Sequence, residues 1–162
     1  MGRRLTEAEM NQCRLVFGTA LDLSAVRIIE NSIVAKFISV ISRGPTAFCL
    51  GNKLRFPRVL NTGLIIDMAW AIHELTHAWQ FQTRGWIYLF EALWTEIRLG
   101  PKAYDYGGEA GLASALATGK GIYDFTPDQQ GDIARHFYIR LQKRQNTEKW
   151  EPFVEDIRRS RK

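Results

Sequence analysis

The chain has 162 residues, of which 46% are of hydrophobic type, so it can form one domain of ordinary size with an apolar core. No run of 18 or more apolar residues occurs, which argues against a membrane-spanning helix. The net charge of +5 falls entirely in residues 135–162, because basic and acidic side chains balance in the residues before them.

The basic segment 135–162 bears on the choice of partner. A basic segment can bind nucleic acid, an acidic partner or a membrane surface. This one lacks the interleaved aromatic side chains of a single-strand binder. We therefore expect a solvated face here, and a nucleic-acid partner is not predicted.

The N-terminus and the two cysteines bear on the cellular compartment. Arg3 and Arg4 are not followed by an apolar run and a cleavage site, so no secretory signal peptide is predicted. Cys13 and Cys49 have the wrong spacing for a zinc knuckle and are predicted to be buried thiols, with a single disulfide as the alternative. We expect a cytoplasmic protein, with export by a machine that reads no cleavable signal as the alternative.

The first predicted element is a helix that begins after Thr6. Thr6 and Glu9 have the spacing of a capping box, and Leu5 can pack onto Met10 across the start of the helix. Gly18 is placed to end it.

Residues 25–60 are predicted to form a small sheet. The Val- and Ile-rich segments 26–29 and 33–40 are predicted as strands. Residues 46–50 and 53–56 flank Gly51-Asn52, which has the composition of a two-residue hairpin turn. The sheet is therefore expected to be mostly antiparallel.

The second half of the chain is predicted to be mainly helical. A long helix is predicted over residues 64–83 and another over 86–97. The Gly- and Ala-rich residues 102–125 are predicted as a loop with a short irregular element. A helix over 126–142 begins with a Thr cap, a Pro and a Gln at the favoured positions, and residues 150–159 are predicted as a last short helix.

The long helix contains the sequence His73-Glu74-Leu75-Thr76-His77. Two histidines four residues apart project from one face of a helix, so both imidazoles can reach one zinc ion. Glu74 lies about 100° around the helix, beside the metal, where it can accept a proton from a water molecule that zinc activates. This pattern predicts a zinc site with His73 and His77 as ligands and Glu74 as the general base.

A catalytic zinc site needs a third protein ligand and an open position. Asp128 and Asp132 are the preferred candidates, because they share one side of the 126–142 helix with His136. An acid in the first turn of a helix can instead serve the helix dipole, which is the alternative for Asp128. The other candidate acids are Glu91, Glu96, Asp105, Glu109 and Asp124.

Two further residues are candidates for stabilising a developing oxyanion. Tyr106 lies with Tyr104 in a predicted loop, and a tyrosine hydroxyl there can donate a hydrogen bond. His136 can do the same from its helix. The alternative is that each is a packed aromatic or a surface imidazole.

The sequence resembles the small bacterial "Vgr-related" proteins, which are similar to the zinc-metallopeptidase core domain found with contractile injection systems and polymorphic toxins. The matching segments are Leu5–Gly18, Leu21-Asp22, Val26-Arg27, Ile72–Gln80, Tyr104–Tyr106 and Gln129–Ile133. The late motif of that family usually reads Glu-Gln-Gln-Ala-Glu, whereas here Asp128 and Asp132 are each one methylene shorter.

The residues predict an α+β domain over 1–150, in which a small sheet packs on the motif helix, followed by a basic C-terminal helix or tail over 151–162, and the resemblance implies that the domain is zincin-like. It implies a Zn²⁺-dependent metallopeptidase that acts on a peptide or protein and is linked to a type VI or related secretion system. The alternatives are a non-catalytic zinc-binding assembly module of such a system and a toxin hydrolase that acts on peptidoglycan.

Overall fold

The computed structural model describes residues 2–88, 94, 98, 100 and 104–160, and the fold of these residues is α+β. They form six α-helices and one three-stranded sheet. The helices are α1 Glu7–Phe17, α2 Ile33–Ile41, α3 Ile65–Arg84, α4 Gly108–Ala117, α5 Pro127–Gln142 and α6 Glu151–Arg159. The strands are β1 Arg27–Ile29, β2 Phe48–Leu50 and β3 Lys53–Arg55, and a 3₁₀ turn covers Ile122–Asp124. The helix predicted over residues 86–97 lies mostly outside the described residues.

Capping side chains fix where α1 and α5 begin. At α1, the Thr6 side chain accepts from the Glu9 backbone N–H, and the Glu9 carboxylate accepts from the Thr6 N–H. Thr126 and Gln129 make the same reciprocal pair at the start of α5. Each box satisfies backbone donors that a helix start leaves unpaired. Both helix starts are as predicted.

The sheet is mixed, so the prediction of a mostly antiparallel sheet is corrected. Its order is β1-β3-β2, with β3 antiparallel to β2 and parallel to β1. The antiparallel pair is the predicted hairpin, and Gly51 adopts the positive φ of 62° that its turn requires. The parallel pair arises because α2 leads to β2 at the far edge of the sheet, and β2 runs antiparallel to β1, so that β3 starts at the same end of the sheet as β1.

The prediction of a strand over residues 33–40 was wrong, because this segment forms helix α2. Ser32 caps the helix by accepting from the Ala35 N–H at 3.4 Å. Ala35 is the one buried residue of α2, so the Val- and Ile-rich composition does not reflect a place in the sheet. The helix instead lies at the surface, with most of its apolar side chains exposed.

The loop predicted over residues 102–125 is also corrected, because α4 lies within it. Gly107, in the left-handed conformation, precedes the helix. A Cβ on Gly111 would overlap the carbonyl oxygen of Tyr106. Gly111 therefore permits close packing inside a helix, and its presence does not indicate an irregular loop.

Helix α3 runs through the centre of the core. Nearly every residue of α3 from Asp67 to Gln80 is buried. Helix α5 packs along it, and α6 adds the fully buried Phe153, Val154 and Ile157. Cys13 and Cys49 are buried free thiols, as predicted. In the part of the chain that the structure describes, no helix has both the length and the apolarity needed to cross a membrane.

Candidate metal centre

Packing of α5 against α3 brings three potential metal ligands together. The group consists of His73, His77 and Asp128, all buried, and their ligand atoms lie within 4.8 Å of one another. Asp128 Oδ1 lies 3.5 Å from His77 Nε2 and 3.9 Å from His73 Nε2. Ligand atoms about 2 Å from a shared zinc ion are separated by roughly 3–4 Å. The group therefore has the spacing needed to hold a metal ion.

The imidazole of His73 is held by Asp132. Asp132 Oδ1 lies 2.8 Å from His73 Nδ1, so Nδ1 carries the proton of the neutral ring and donates a hydrogen bond to the carboxylate. Burial opposes ionisation of Asp132, but the hydrogen bond with His73 and the positive charges nearby outweigh it and lower the pKa of Asp132. The lone pair of His73 is consequently on Nε2, on the side of Asp128.

The imidazole of His77 is held by a buried glutamine one turn later on α3. Gln80 Nε2 donates to Pro127 O at 3.0 Å and to Gln130 Oε1 at 2.8 Å, which fixes the orientation of the amide. Gln80 Oε1 is therefore the atom that accepts from His77 Nδ1, at 2.8 Å. Both histidines thus have Nδ1 engaged and Nε2 available for a metal ion.

Glu74 has a buried carboxylate with an unused oxygen. Its Oε2 is buried and has no hydrogen-bond partner among the described residues. Burial raises the pKa of Glu74, while His73 and His77 act in the opposite direction. A buried polar atom without a partner is costly unless a ligand or an ordered water satisfies it. The side chain is therefore suited to accept a proton or a hydrogen bond from a molecule in the site.

Without a metal ion, the site favours a proton on His77. Burial disfavours the charged ring, but the hydrogen bond with Asp128 and the negative charges of Glu74 and Asp128 outweigh it. Together they raise the pKa of His77 to about 9. The same negative environment that holds this proton would favour a divalent cation in its place.

The three candidate ligands face a cavity of about 550 Å³. The cavity is also lined by three charged side chains, those of Glu74, Asp132 and Arg135. The remaining lining residues are mostly apolar or aromatic and include Ile38, Ala47, Phe48, Trp70, Tyr88 and Tyr104. A mainly apolar cavity with a few convergent polar groups is the usual form of a small-molecule or peptide site.

The structure places Tyr106 and His136 against each other. The Tyr106 hydroxyl is hydrogen-bonded to His136 Nδ1 at 2.7 Å and accepts from Trp150 Nε1 at 3.1 Å. Neither Tyr106 nor His136 is among the described residues that line the cavity, whereas Tyr104 is. Burial and the nearby charge of Arg135 lower the pKa of His136. Both residues lie outside the described lining of the cavity, and their role as oxyanion donors stays a prediction.

The other candidate acids are engaged elsewhere or lie outside the described residues. Asp105 accepts from the Gly107 N–H at 2.8 Å, and Asp124 accepts from the Gly121 N–H at 2.8 Å. Glu109 lies 3.8 Å from Arg140. Glu91 and Glu96 fall outside the described residues. Of the described candidates, Asp128 alone joins the two histidines in the ligand group.

Sequence reasoning missed three residues that shape the site: Gln80, Gly131 and Arg135. A Cβ on Gly131 would lie 2.8 Å from both Nδ1 and Cε1 of His73, so only glycine lets α5 approach the ring this closely. Arg135 lines the cavity and lies 3.3 Å from Asp132. Two features of the sequence could have indicated them: Gln80 lies on the apolar side of α3, and Gly131 lies between two aspartates on α5.

Comparison with known proteins shows a similarity to a secretion-system protein. The chain is 30% identical over 141 residues to the type VI secretion system spike protein VgrG2b of Pseudomonas aeruginosa. The match covers 85% of this chain and 13% of the spike protein. It supports the relation to Vgr proteins that the sequence pattern indicated. No family model matches the chain, and no solved structure matches it.

Proposed function

We propose that this chain is a zinc-dependent hydrolase of peptide or amide bonds, with His73, His77 and Asp128 as the protein ligands. The observation that supports this most strongly is the combination of two oriented imidazoles with the unpartnered oxygen of Glu74. A purely structural zinc site would be closed by a fourth protein ligand and would have no use for a buried carboxylate without a partner.

The residues present fit a zinc ion. Two imidazoles and one carboxylate are a donor set found in catalytic zinc sites, where a further position stays open. The open side of this group would face the cavity. When bound, zinc supplies Lewis-acid polarisation of water and of a carbonyl oxygen.

Glu74 is the proton carrier in this proposal. Its carboxylate accepts a proton from the attacking water and later delivers that proton to the leaving amine. Burial, which raises the pKa of Glu74, brings its proton affinity closer to what a group that both accepts and releases a proton near neutral pH requires. Asp132 and Gln80 contribute by holding His73 and His77 in their tautomers and orientations.

An extended peptide is the substrate that the surroundings favour. Strand β2 lies at the edge of the sheet, and its residues Phe48 and Cys49 line the cavity. An edge strand can bind an extended peptide by strand addition, and the apolar wall can receive its side chains. A helix with two histidine ligands beside such a strand is the arrangement expected of a zincin-like domain, which we propose as the fold family.

We further propose that the chain works with a type VI secretion system. The support is the similarity to part of the spike protein VgrG2b. In this proposal the protein is made in the cytoplasm and exported by that machinery.

Comparison of wild type with Glu74→Gln tests the proposal. The amide keeps the shape of the side chain but cannot accept the proton, so zinc content and folding should be unchanged while hydrolysis of a peptide library falls at least 100-fold. Asp105→Asn, which alters an exposed acid outside the cavity, is the matched control and should cleave as wild type does. Undiminished cleavage by Glu74→Gln, or a zinc-loaded wild type that cleaves no peptide, would contradict the proposal.

A further inference from the structure

Helix α2 exposes an unusually apolar surface. Ile33, Val34, Phe37, Val40 and Ile41 are between 52% and 83% exposed. Scattered apolar side chains at a surface are ordinary, but five in a nine-residue helix form a concentrated patch. A concentrated apolar patch of this kind is typical of a surface that interacts with a protein, a ligand or a membrane.

The five side chains occupy one side of the helix. At about 100° per residue they span an arc of roughly 120°. Ala35, the buried residue, points to the opposite side, and Ile38 at the margin of the arc lines the cavity. The apolar arc therefore faces away from the core, while the helix borders the candidate site.

The charged residues in the segment that contains α2 are all basic. Residues 31–66 contain no aspartate or glutamate but five basic side chains. Arg58 is paired with Asp67. No ion pair within the described part of the chain involves the other four, Lys36, Arg43, Lys53 and Arg55. Lys36 lies on α2 beside the apolar arc, and Arg43 follows the end of the helix.

We propose that α2 and its basic surroundings bind an anionic lipid membrane surface. A short helix with an apolar arc and flanking basic residues lies in the membrane interface, where apolar side chains insert and cations meet lipid phosphates. A second copy of the same surface fits less well, because it would bring like charges together. Membrane binding through α2 would place the mouth of the cavity close to the lipid headgroups.

Vesicle co-sedimentation tests the apolar arc. Wild type should bind phosphatidylglycerol-containing vesicles, bind pure phosphatidylcholine vesicles more weakly, and dissociate as salt is raised. Phe37→Gln with Val40→Gln should weaken binding at least tenfold, and glutamine is a good helix former, so α2 should persist. Leu15→Gln with Leu116→Gln is the matched control, because these exposed side chains lie on α1 and α4.

A charge-reversal pair tests the basic component. Lys36→Glu with Arg43→Glu should weaken binding to anionic vesicles at least tenfold. Lys143→Glu with Lys149→Glu, two exposed lysines of the C-terminal basic segment, should change it less than threefold.

Failure of wild type to bind anionic vesicles at low salt would overturn the proposal, as would a control pair that weakens binding as much as the α2 variants. Light scattering provides a second readout. Self-association that disappears in Phe37→Gln/Val40→Gln, without vesicle binding by wild type, would assign α2 to a protein interface instead.

Discussion

Asp132 Oδ1 lies 2.8 Å from His73 Nδ1, on the far side of the imidazole from the nitrogen that faces Asp128. The two acids of α5 therefore hold different positions around one histidine. Asp128 is placed to contact a metal ion, and Asp132 is placed to orient the ring that does so. One turn of α5 separates them, which is why they shared a face in the sequence and could not be told apart there.

Because the two acids have different roles, their asparagine variants should lose zinc affinity to different extents. Asp128→Asn removes a charged ligand and should weaken zinc binding at least 100-fold. Asp132→Asn leaves the ligand group intact but weakens the hydrogen bond that orients His73, so the loss should be about 10- to 100-fold. Competition with a chelator of known affinity measures both. Equal losses, or a larger loss for Asp132→Asn, would show that Asp132 is itself the ligand.

Gly131 should be intolerant of even one methyl group. In Gly131→Ala the added Cβ would lie 2.8 Å from the His73 ring, which Asp132 holds in place, so the ring or α5 must move. We expect zinc affinity to fall at least tenfold and the melting temperature to drop. Gly44→Ala is the control, because a Cβ there meets nothing within 4 Å. Unchanged zinc affinity in Gly131→Ala would mean that this close approach is not required.

Glu9 should make the fold sensitive to acid. Its carboxylate accepts from Arg3 at 2.8 Å through both oxygens, from the Thr6 N–H and from the Thr62 hydroxyl. Burial alone would raise its pKa, but these hydrogen bonds outweigh burial and lower it from 4.5 to about 2. A carboxylate whose pKa is lower in the folded state stabilises the fold above pH 4.5, and this contribution is lost as pH falls through 2.

The variant that tests this acid sensitivity is Glu9→Gln. It should lose about 1–3 kcal/mol of unfolding free energy at pH 7 and show a flatter dependence of stability on pH between about 5 and 2. Glu7→Gln alters an exposed acid in the same turn of α1, 3.4 Å from Arg14, and should behave as wild type. Urea titrations at several pH values give the comparison. Parallel pH profiles for wild type and Glu9→Gln would contradict the assignment.

Local chemistry made much of the fold predictable. The capping boxes at Thr6 and Thr126 and the turn at Gly51-Asn52 each act within a few residues, so the sequence alone indicates them. Segment 33–40 was misread because exposed Val and Ile on α2 look like strand residues when exposure is unknown. Helix α2 is exposed because no other described element covers its apolar side, and the local sequence cannot indicate which elements will cover a helix.

The candidate site was predictable only in part, for a similar reason. The spacing of His73 and His77 on one helix is a local property, and so is the position of Glu74 between them. Whether Asp128 or Asp132 faces the metal depends on how α5 packs against α3, a contact between distant parts of the chain. The pairing of Tyr106 with His136 is likewise a tertiary contact that the sequence did not indicate.

The most direct test of the proposed metal site is the zinc content of the chain after metal removal and reconstitution, measured by mass spectrometry. Wild type should retain one zinc ion per chain, while His77→Ala and Asp128→Ala should retain less than a tenth of that. Asp105→Ala should retain as much as wild type, because Asp105 bonds its own loop outside the ligand group. A wild type that takes up no zinc at neutral pH, or an Asp128→Ala variant that binds it as tightly as wild type, would contradict the proposed site.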